Sequence, residues 1–538
     1  MVLDGEVWYS PTAYGRLIVA DDLHVDVPDP MNAAAIFVDR HVDRGRADKV
    51  AILCEDRQLT YGQVFEQVNQ LGNALRELGV AIEERVALLL LDGPEFVVSF
   101  FGAIKIGAVP IPINTLFTSR DCEYILNDSR ARVLIVNDAL MAQIEPIRAR
   151  LKYLRHVVVA GKDAAGNQTF QELVGAASPH LAPEPMSKDD VCFWLYSSGT
   201  TGFPKGAVHL QHDMIFAAEL YSRRVVGIRE EDRTFSIAKL FFAYGLGNGL
   251  YFPFYVGAST VYYPGKPDPI RFFETIARHR PTLFFAVPTG YAAMLAVPEA
   301  ERRYDTSSIR LCVSAGEALP PALWHNWKER FGTEILDGIG STEILHIFIS
   351  NRPGRCKPGS TGEVVPGYEA RIVDEHGNEV GEDTTGDLLI KGDSICSCYW
   401  NQHEKSKQII NGEWIRTGDK YQRDRDGYFW YQGRTDDMLK VCGMWVSPVE
   451  VENALMAHEA VLECGVAGIE DTDRLIKPKA FVVLKRDRRE SPELAHELQQ
   501  FVRAKLAPYK YPRWVQFVPD LPKTATGKIQ RYRLRQMG

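Results

Sequence analysis

Segments of two periodicities take turns along this chain, and that alternation limits its fold more than any other feature. Phe65 to Leu78 places apolar side chains at helical spacing, and Arg85 to Leu91 is an apolar run of strand length. Glu95 to Lys105 again reads as helix, Ala108 to Pro112 and Arg132 to Val136 as strands, and Met141 to Leu151 as helix. The pattern returns around Ile276 to Ala286 and Ile309 to Ser314. Strands separated by helices lie parallel, with the helices packed over them. An α/β fold of mostly parallel sheets is expected.

The chain has 538 residues. Single cores stop growing near about 250–300 residues, so more than one domain is expected. The C-terminal part has a different texture. Ser447-Pro448-Val449-Glu450 predicts a helix start with N-cap, proline at the first position and a capping-box glutamate. Strands are expected at Glu463–Ile469, Lys479–Lys485 and Trp514–Val518, and a helix from Ser491 to about Leu506. This reads as a small α+β unit. Gly433 to Asp437 is polar and suits a hinge, and residues 1–30 read as a polar, proline-containing extension.

Composition excludes several classes. The net charge is −8 with no run of about five like charges, so no nucleic-acid or anionic-membrane partner is expected. No apolar stretch reaches the roughly 18 residues of a membrane span, and the N-terminus lacks the apolar core of a signal peptide. Nine scattered cysteines form neither a disulfide framework nor a zinc spacing. Reduced thiols in a cytoplasmic protein are the better reading.

The richest segment is Tyr196-Ser197-Ser198-Gly199-Thr200-Thr201-Gly202-Phe203-Pro204-Lys205-Gly206, directly after the strand-like run Val191 to Leu195. Three glycines expose backbone N–H groups, four hydroxyls add donors and Lys205 adds positive charge. That is a chemistry for phosphate oxygens. The spacing is not that of a Walker A loop. Downstream stand Ser314-Ala315-Gly316-Glu317, Asp337-Gly338-Ile339-Gly340-Ser341-Thr342-Glu343, Arg416-Thr417-Gly418-Asp419, Gly433-Arg434 and Pro522-Lys523-Thr524-Ala525-Thr526-Gly527-Lys528-Ile529.

In this order the segments resemble the adenylate-forming superfamily, which includes acyl-CoA synthetases, luciferases and peptide-synthetase adenylation domains. The resemblance runs from about Thr60-Tyr61 to the C-terminus. It implies a large AMP-binding domain over 31–434 with a β-rich subdomain, a hinge at 435–436 and a small mobile catalytic lid over 437–538. It implies ATP, Mg²⁺ and coenzyme A. By resemblance, Ser197, Ser198, Gly199, Thr200, Thr201, Gly202 and Lys205 hold phosphates. Glu343, with Thr200, holds Mg²⁺, and Thr342 faces the phosphate. The turn Ala315, Gly316 and Glu317 packs on the adenine, Asp337, Gly338 and Ile339 bind the nucleotide, Asp419 takes the ribose and Arg434 the ribose and phosphate. Asp436 is the hinge, Lys528 the adenylation lysine, and Lys440 the lysine of the thioester step. Taken alone, Lys440 and Lys528 read equally as surface charges.

Lys239-Leu240-Phe241-Phe242-Ala243-Tyr244-Gly245 has Phe242 where many members have histidine. That departure, with Gly340 to Phe348, resembles the benzoate–CoA and 4-hydroxybenzoate–CoA ligases. Carried over, Phe242, Ala243, Tyr244, Gly340, His346 and Ile347, with Ala315, line a ring pocket. Small residues beside flat aromatic ones suit a planar ring. Plain core packing accounts equally for Phe242, Tyr244 or His346. Tyr244 or His346 is also placed to bond a ring hydroxyl, so a 4-hydroxybenzoate-specific ligase stays open. So do ligases of medium-chain or arylpropenoic acids. A carrier-protein-loading domain is disfavoured because the chain ends at Gly538 with no carrier domain appended. A catalytically dead binding protein is disfavoured by the presence of Lys528, Glu343 and Asp419. The sequence does not decide between monomer and homodimer.

Overall fold

The computed structural model describes residues 25–538, apart from 164–165, 198–203, 436, 442–443, 472–474, 487, 508 and 524–528; at 440, 444 and 445 it describes the backbone only. The fold is mixed α/β, as the alternating periodicities require. A nine-stranded sheet has at its centre Ile335–Gly340, Leu311–Ser314, Leu283–Ala286, Arg233–Ser236, Ser259–Tyr262 and Val50–Cys54. Those six strands pair in parallel, and antiparallel strands close both edges. A second sheet of five strands is parallel throughout, from Val109–Pro112 and Arg85–Leu89 to His156–Ala160 and Gln168–Thr169.

The helices follow their local signals. Thr60 caps the helix Tyr61–Glu77 through a reciprocal bond with Gln63, and Pro94 opens Pro94–Lys105. That second helix is buried nearly all round, with Phe96, Phe100 and Phe101 inaccessible. Met141 to Leu151 is not one helix. It forms two 3-10 turns, Asp138–Gln143 and Glu145–Arg150. Pro146 has no N–H to donate and crowds the preceding turn, which breaks the expected element.

Two antiparallel sheets complete the β-rich part. One joins Val191–Ser197, Lys205–Leu210 and Cys398–Tyr399; the other is built on Glu369–Val373, Gly386–Lys391 and Trp414–Arg423, with Phe429–Arg434 paired to the last. Gly433 and Arg434, expected in the hinge region, thus end a strand, and Asp436 lies outside the described residues.

The C-terminal unit has its own apolar cluster, including Val451, Leu455, Val466, Val482 and Leu498. Its sheet joins Val461–Glu470, Ile476–Leu484 and Trp514–Phe517. Ser447 caps Pro448–Met456 by accepting from the Glu450 N–H. The expected reciprocal half of that capping box is absent, because the Glu450 carboxylate instead holds the Lys510 ammonium at 2.6 Å. A short helix, Arg531–Met537, follows. Among the described residues, no helix is long and apolar enough to cross a membrane. The eight described cysteines are free thiols.

Candidate active site

The phosphate segment lies between two paired strands. Ser197 and Lys205 face each other across the hairpin, so the start and end of the segment meet. Ser198, Gly199, Thr200, Thr201 and Gly202 lie outside the described residues. Ser197 Oγ donates to Glu343 Oε1 at 3.2 Å, and the Tyr399 hydroxyl donates to the same oxygen at 2.7 Å. Lys205 Nζ sits 5.1 Å from the centre of the Tyr399 ring. Burial lowers the affinity of Lys205 for its proton, Lys405 lowers it further, and Glu343 opposes both. Burial and the adjacent carboxylate push the Tyr399 phenol far up, so it stays a donor.

Glu343 owes its place to a tight turn. The strand Ile335–Gly340 ends at Ser341, whose hydroxyl accepts from the Ile344 N–H at 3.2 Å and caps the single turn Thr342–Ile344. Leu345 follows in the left-handed region at φ 72°. A bulky residue is rarely found there, and such strain costs about 1–3 kcal/mol. Leu345 is fully buried, so packing holds it. The Glu343 carbonyl accepts from the Cys396 N–H at 2.7 Å.

Behind this turn, Ser314 and Asp337 are paired neighbours in the large sheet. Gly316 adopts φ 95°, which turns the chain at the strand end before the half-buried Glu317. Asp337 is 5% exposed, and its Oδ2 accepts from the Leu319 N–H at 3.4 Å. Burial pushes its carboxyl well up. The Asp337 side chain therefore faces the protein, and Gly338 and Ile339 continue the strand beyond it.

Asp419 and Arg434 are paired across their strands, and Arg434 Nη1 lies 3.0 Å from Asp419 Oδ1. The same nitrogen donates to the Thr417 carbonyl at 3.1 Å. Gly418 sits at φ 76°, and a Cβ there would come within 2.8 Å of the guanidinium. Only glycine lets the arginine close on the carboxylate in this way.

Of the residues expected to line a ring pocket, Tyr244, Gly340 and Ile347 meet at His346. Its Nε2 lies 3.3 Å from the Tyr244 carbonyl, and its ring packs against Tyr244, Tyr221 and Phe252 with centroids 5.7, 5.4 and 4.4 Å away. Burial pushes His346 down to about 3, so the imidazole is neutral. Gly340 pairs with Ile347, and a Cβ on Gly340 would lie 2.6 Å from the His346 carbonyl oxygen. The Tyr244 hydroxyl donates to the Val313 carbonyl at 3.0 Å, next to Ser314 and Ala315. Ala243 is buried beside it. Phe242 precedes the short helix Ala243–Leu246 and meets Phe241 edge-on, with centroids 4.4 Å apart.

Lys528 and the side chain of Lys440 lie outside the described residues. Lys523 and Ile529, flanking the Lys528 segment, form a bridge, and Lys523 binds Glu463 at 2.8 Å. Tyr399 was missed in the sequence. No motif links it to Glu343; it arrives through the pairing of Tyr399 with Ala207.

Among the described residues, no group of three or more His, Cys, Asp or Glu side chains is placed to hold a metal. Glu343 beside a phosphate segment is a single hard oxygen donor. That fits a magnesium ion carried largely by nucleotide phosphates, since Mg²⁺ is commonly held by one or two carboxylates plus substrate phosphates.

A hairpin rich in hydroxyls and glycines, a facing glutamate and a strand-paired Asp–Arg couple define a nucleotide-binding enzyme with a second, smaller unit. The comparisons give it a family. The AMP-binding enzyme profile matches residues 38–400, and the AMP-binding enzyme C-terminal domain matches 450–528. The chain belongs to the AMP-binding enzyme family. It is 50% identical to a benzoate–CoA ligase of Thauera aromatica, over 95% of this chain and 97% of that one. It is 46% identical to a 4-hydroxybenzoate–CoA/benzoate–CoA ligase of Rhodopseudomonas palustris, over 94% of each. Among solved structures it resembles an anthranilate CoA ligase in complex with anthranoyl-AMP, at TM-score 0.92 and 49% identity over 95% of this chain and 98% of that one. A benzoate CoA ligase from Burkholderia xenovorans matches at TM-score 0.88 and 46% identity, over 94% of this chain and all of that one, 100%.

Proposed function

We propose that this chain is an AMP-forming ligase that activates benzoate or a substituted benzoate and passes the acyl group to coenzyme A. The observation that carries the reading is that one segment serves both halves of the site. Gly340 packs on His346 among the ring-pocket residues, and Glu343, on the turn that follows, meets Ser197 at the phosphate hairpin. An acid seated beside Gly340 thus has its carboxylate directed to the phosphates. The full-length similarity to aromatic acid–CoA ligases supports the same reading.

In the first step a carboxylate oxygen bonds to the α-phosphorus of ATP, and the bond from that phosphorus to the bridging oxygen breaks, releasing pyrophosphate. Both reactants are anionic. Glu343 and Thr200 would hold a magnesium ion, which would neutralise phosphate charge. Lys205 and Lys528 add fixed positive charge, and Asp419 with Arg434 orients the ribose. In the second step the coenzyme A sulfur bonds to the acyl carbon, the acyl–phosphate oxygen bond breaks, the thiol proton leaves and AMP is released. Rotation of the 437–538 lid about Asp436 exchanges Lys528 for Lys440 between steps, a domain motion of the kind enzymes use to complete a site. The enzyme works in the cytoplasm, where ATP and coenzyme A are supplied.

The test is pyrophosphate release with ATP, Mg²⁺ and coenzyme A for benzoate, 4-hydroxybenzoate, 3-hydroxybenzoate and 2-aminobenzoate, beside hexanoate and coumarate. One or more of the benzoates is expected to lead. Faster turnover of hexanoate or coumarate overturns the substrate class.

A further inference from the structure

The turn that carries Glu343 is short and strained, yet it must hold a carboxylate in register with a phosphate. Something outside it has to fix it. His209 lies on the strand Lys205–Leu210, on the same face as Lys205, because side chains alternate along a strand. It is wholly buried, and its ring is stacked on Phe193 with centroids 5.2 Å apart. Its Nε2 is 2.8 Å from the carbonyl oxygen of Thr342, and its Nδ1 is 2.7 Å from Asp213 Oδ2. A carbonyl only accepts, so Nε2 carries a proton and donates to Thr342. Asp213 is itself inaccessible and fixed. Its Oδ2 also accepts from the Leu210 N–H at 3.1 Å. The imidazole is therefore held at both edges and stacked on one face, with no rotation open to it.

What this rigid group touches is the peptide between Thr342 and Glu343. On its other side the Cys396 N–H holds the Glu343 carbonyl. Successive carbonyls of the turn are thus gripped by the strand Lys205–Leu210 and by Cys396, just ahead of the strand Cys398–Tyr399 in the same antiparallel sheet, which also carries Ser197. We infer that Asp213 and His209 form a positioning pair that sets where Glu343 stands relative to the phosphate hairpin. Neither residue touches the reacting atoms. The inference rests on the reading of Glu343 as the magnesium- and phosphate-facing carboxylate. Groups that orient a metal ligand in this way typically contribute about 10–100-fold in metal affinity.

The test uses the full chain and calorimetric ATP binding at rising Mg²⁺, with melting temperatures measured alongside. A glutamine amide reaches where Nε2 stands and keeps the donor to Thr342. An asparagine amide reaches only where Nδ1 stands and loses it. His209→Asn is expected to raise the Mg²⁺ concentration needed for half-maximal ATP binding by about 10–100-fold. His209→Gln should stay near the unmodified chain, and neither should slow thioester formation from supplied acyl-adenylate. Equal losses in both variants that follow their melting temperatures would make His209 a core residue only, and the inference fails. Glu343→Gln separates the two levels. If it raises the Mg²⁺ requirement and His209→Asn does not, the positioning pair falls and the function stands. If Glu343→Gln changes nothing, the role of Glu343 falls and the inference with it. Should His209→Asn not fold, Asp213→Asn takes its place. It is expected to raise the Mg²⁺ requirement, and an unchanged requirement overturns the inference.

Discussion

The two sides of this site are built on opposite plans. On the phosphate side, polar groups from different strands reach across to one another: Ser197 and Tyr399 to Glu343, and Arg434 to Asp419. On the ring side, polar groups are turned inward. The Tyr244 hydroxyl goes to the Val313 carbonyl, and the His346 imidazole is neutral and buried. The first plan leaves charge available to a charged ligand. The second leaves a surface of carbon and backbone, which on the proposed function would meet a ring by shape. On the proposed function, binding power and discrimination are divided, with the nucleotide held by charge and the acid chosen by space.

The division is broken most severely from the phosphate side. Lys528→Ala is expected to slow adenylation by about 10²–10³-fold, the usual cost of a preorganised charge, while thioester formation from supplied acyl-adenylate survives. Equal loss of both half-reactions, measured separately, would refute the assignment. On the ring side, Gly340→Ala forces a methyl within 2.6 Å of the His346 carbonyl oxygen. Overpacking of this kind costs about 1–3 kcal/mol, seen in denaturant unfolding, and a raised KM for the acid should accompany it with the KM for ATP unchanged.

A third prediction concerns pH. Burial holds His346 down to about 3, so the folded protein keeps it neutral. The unfolded chain takes up that proton near pH 6.5, the ordinary histidine value. Below that pH the unfolded state binds more protons, so the stability is complete above it and is lost as pH falls toward 3. The slope is up to about 1.4 kcal/mol per pH unit. His346→Gln should flatten the acid limb of a stability–pH curve by one proton, and an unaltered limb would show an imidazole that titrates freely. The smallest effect is expected from Tyr244→Phe. Losing one hydrogen bond to a backbone carbonyl costs about 1 kcal/mol. The preference between benzoate and 4-hydroxybenzoate should hold, because that hydroxyl donates to the protein. A large change in that ratio would place it against the ring instead.

The contrast also explains what could be read in advance. Phosphate chemistry demands particular residue types in local runs, so the segments at Ser197, Thr342 and Asp419 stand out in one dimension. The ring pocket has no such demand. Ala243, Gly340 and Ile347 are ordinary residues whose role rests on family resemblance and on spatial convergence. Tyr399 and His209 were illegible for a third reason: strand pairing brings them to the Thr342–Glu343 turn across long stretches of chain. The parallel sheets followed from periodicity, whereas Pro146 defeated the expectation of one helix at Met141 to Leu151. Asp337 was expected at the nucleotide, and its carboxylate is used internally because the strand pleat points it there.

Arg531, at the start of the last helix, holds Glu452 at 2.6 Å and lies 3.7 Å from Asp437, while Arg535 reaches the same aspartate at 2.8 Å. Asp437 and the helix Arg531–Met537 are therefore stitched to one another, and the two ends of the C-terminal unit meet. Units whose two ends meet tolerate excision, transplantation and circular permutation. A block exchanged with that of a relative is expected to keep its fold only where Asp437, Glu452 and Arg531 travel together.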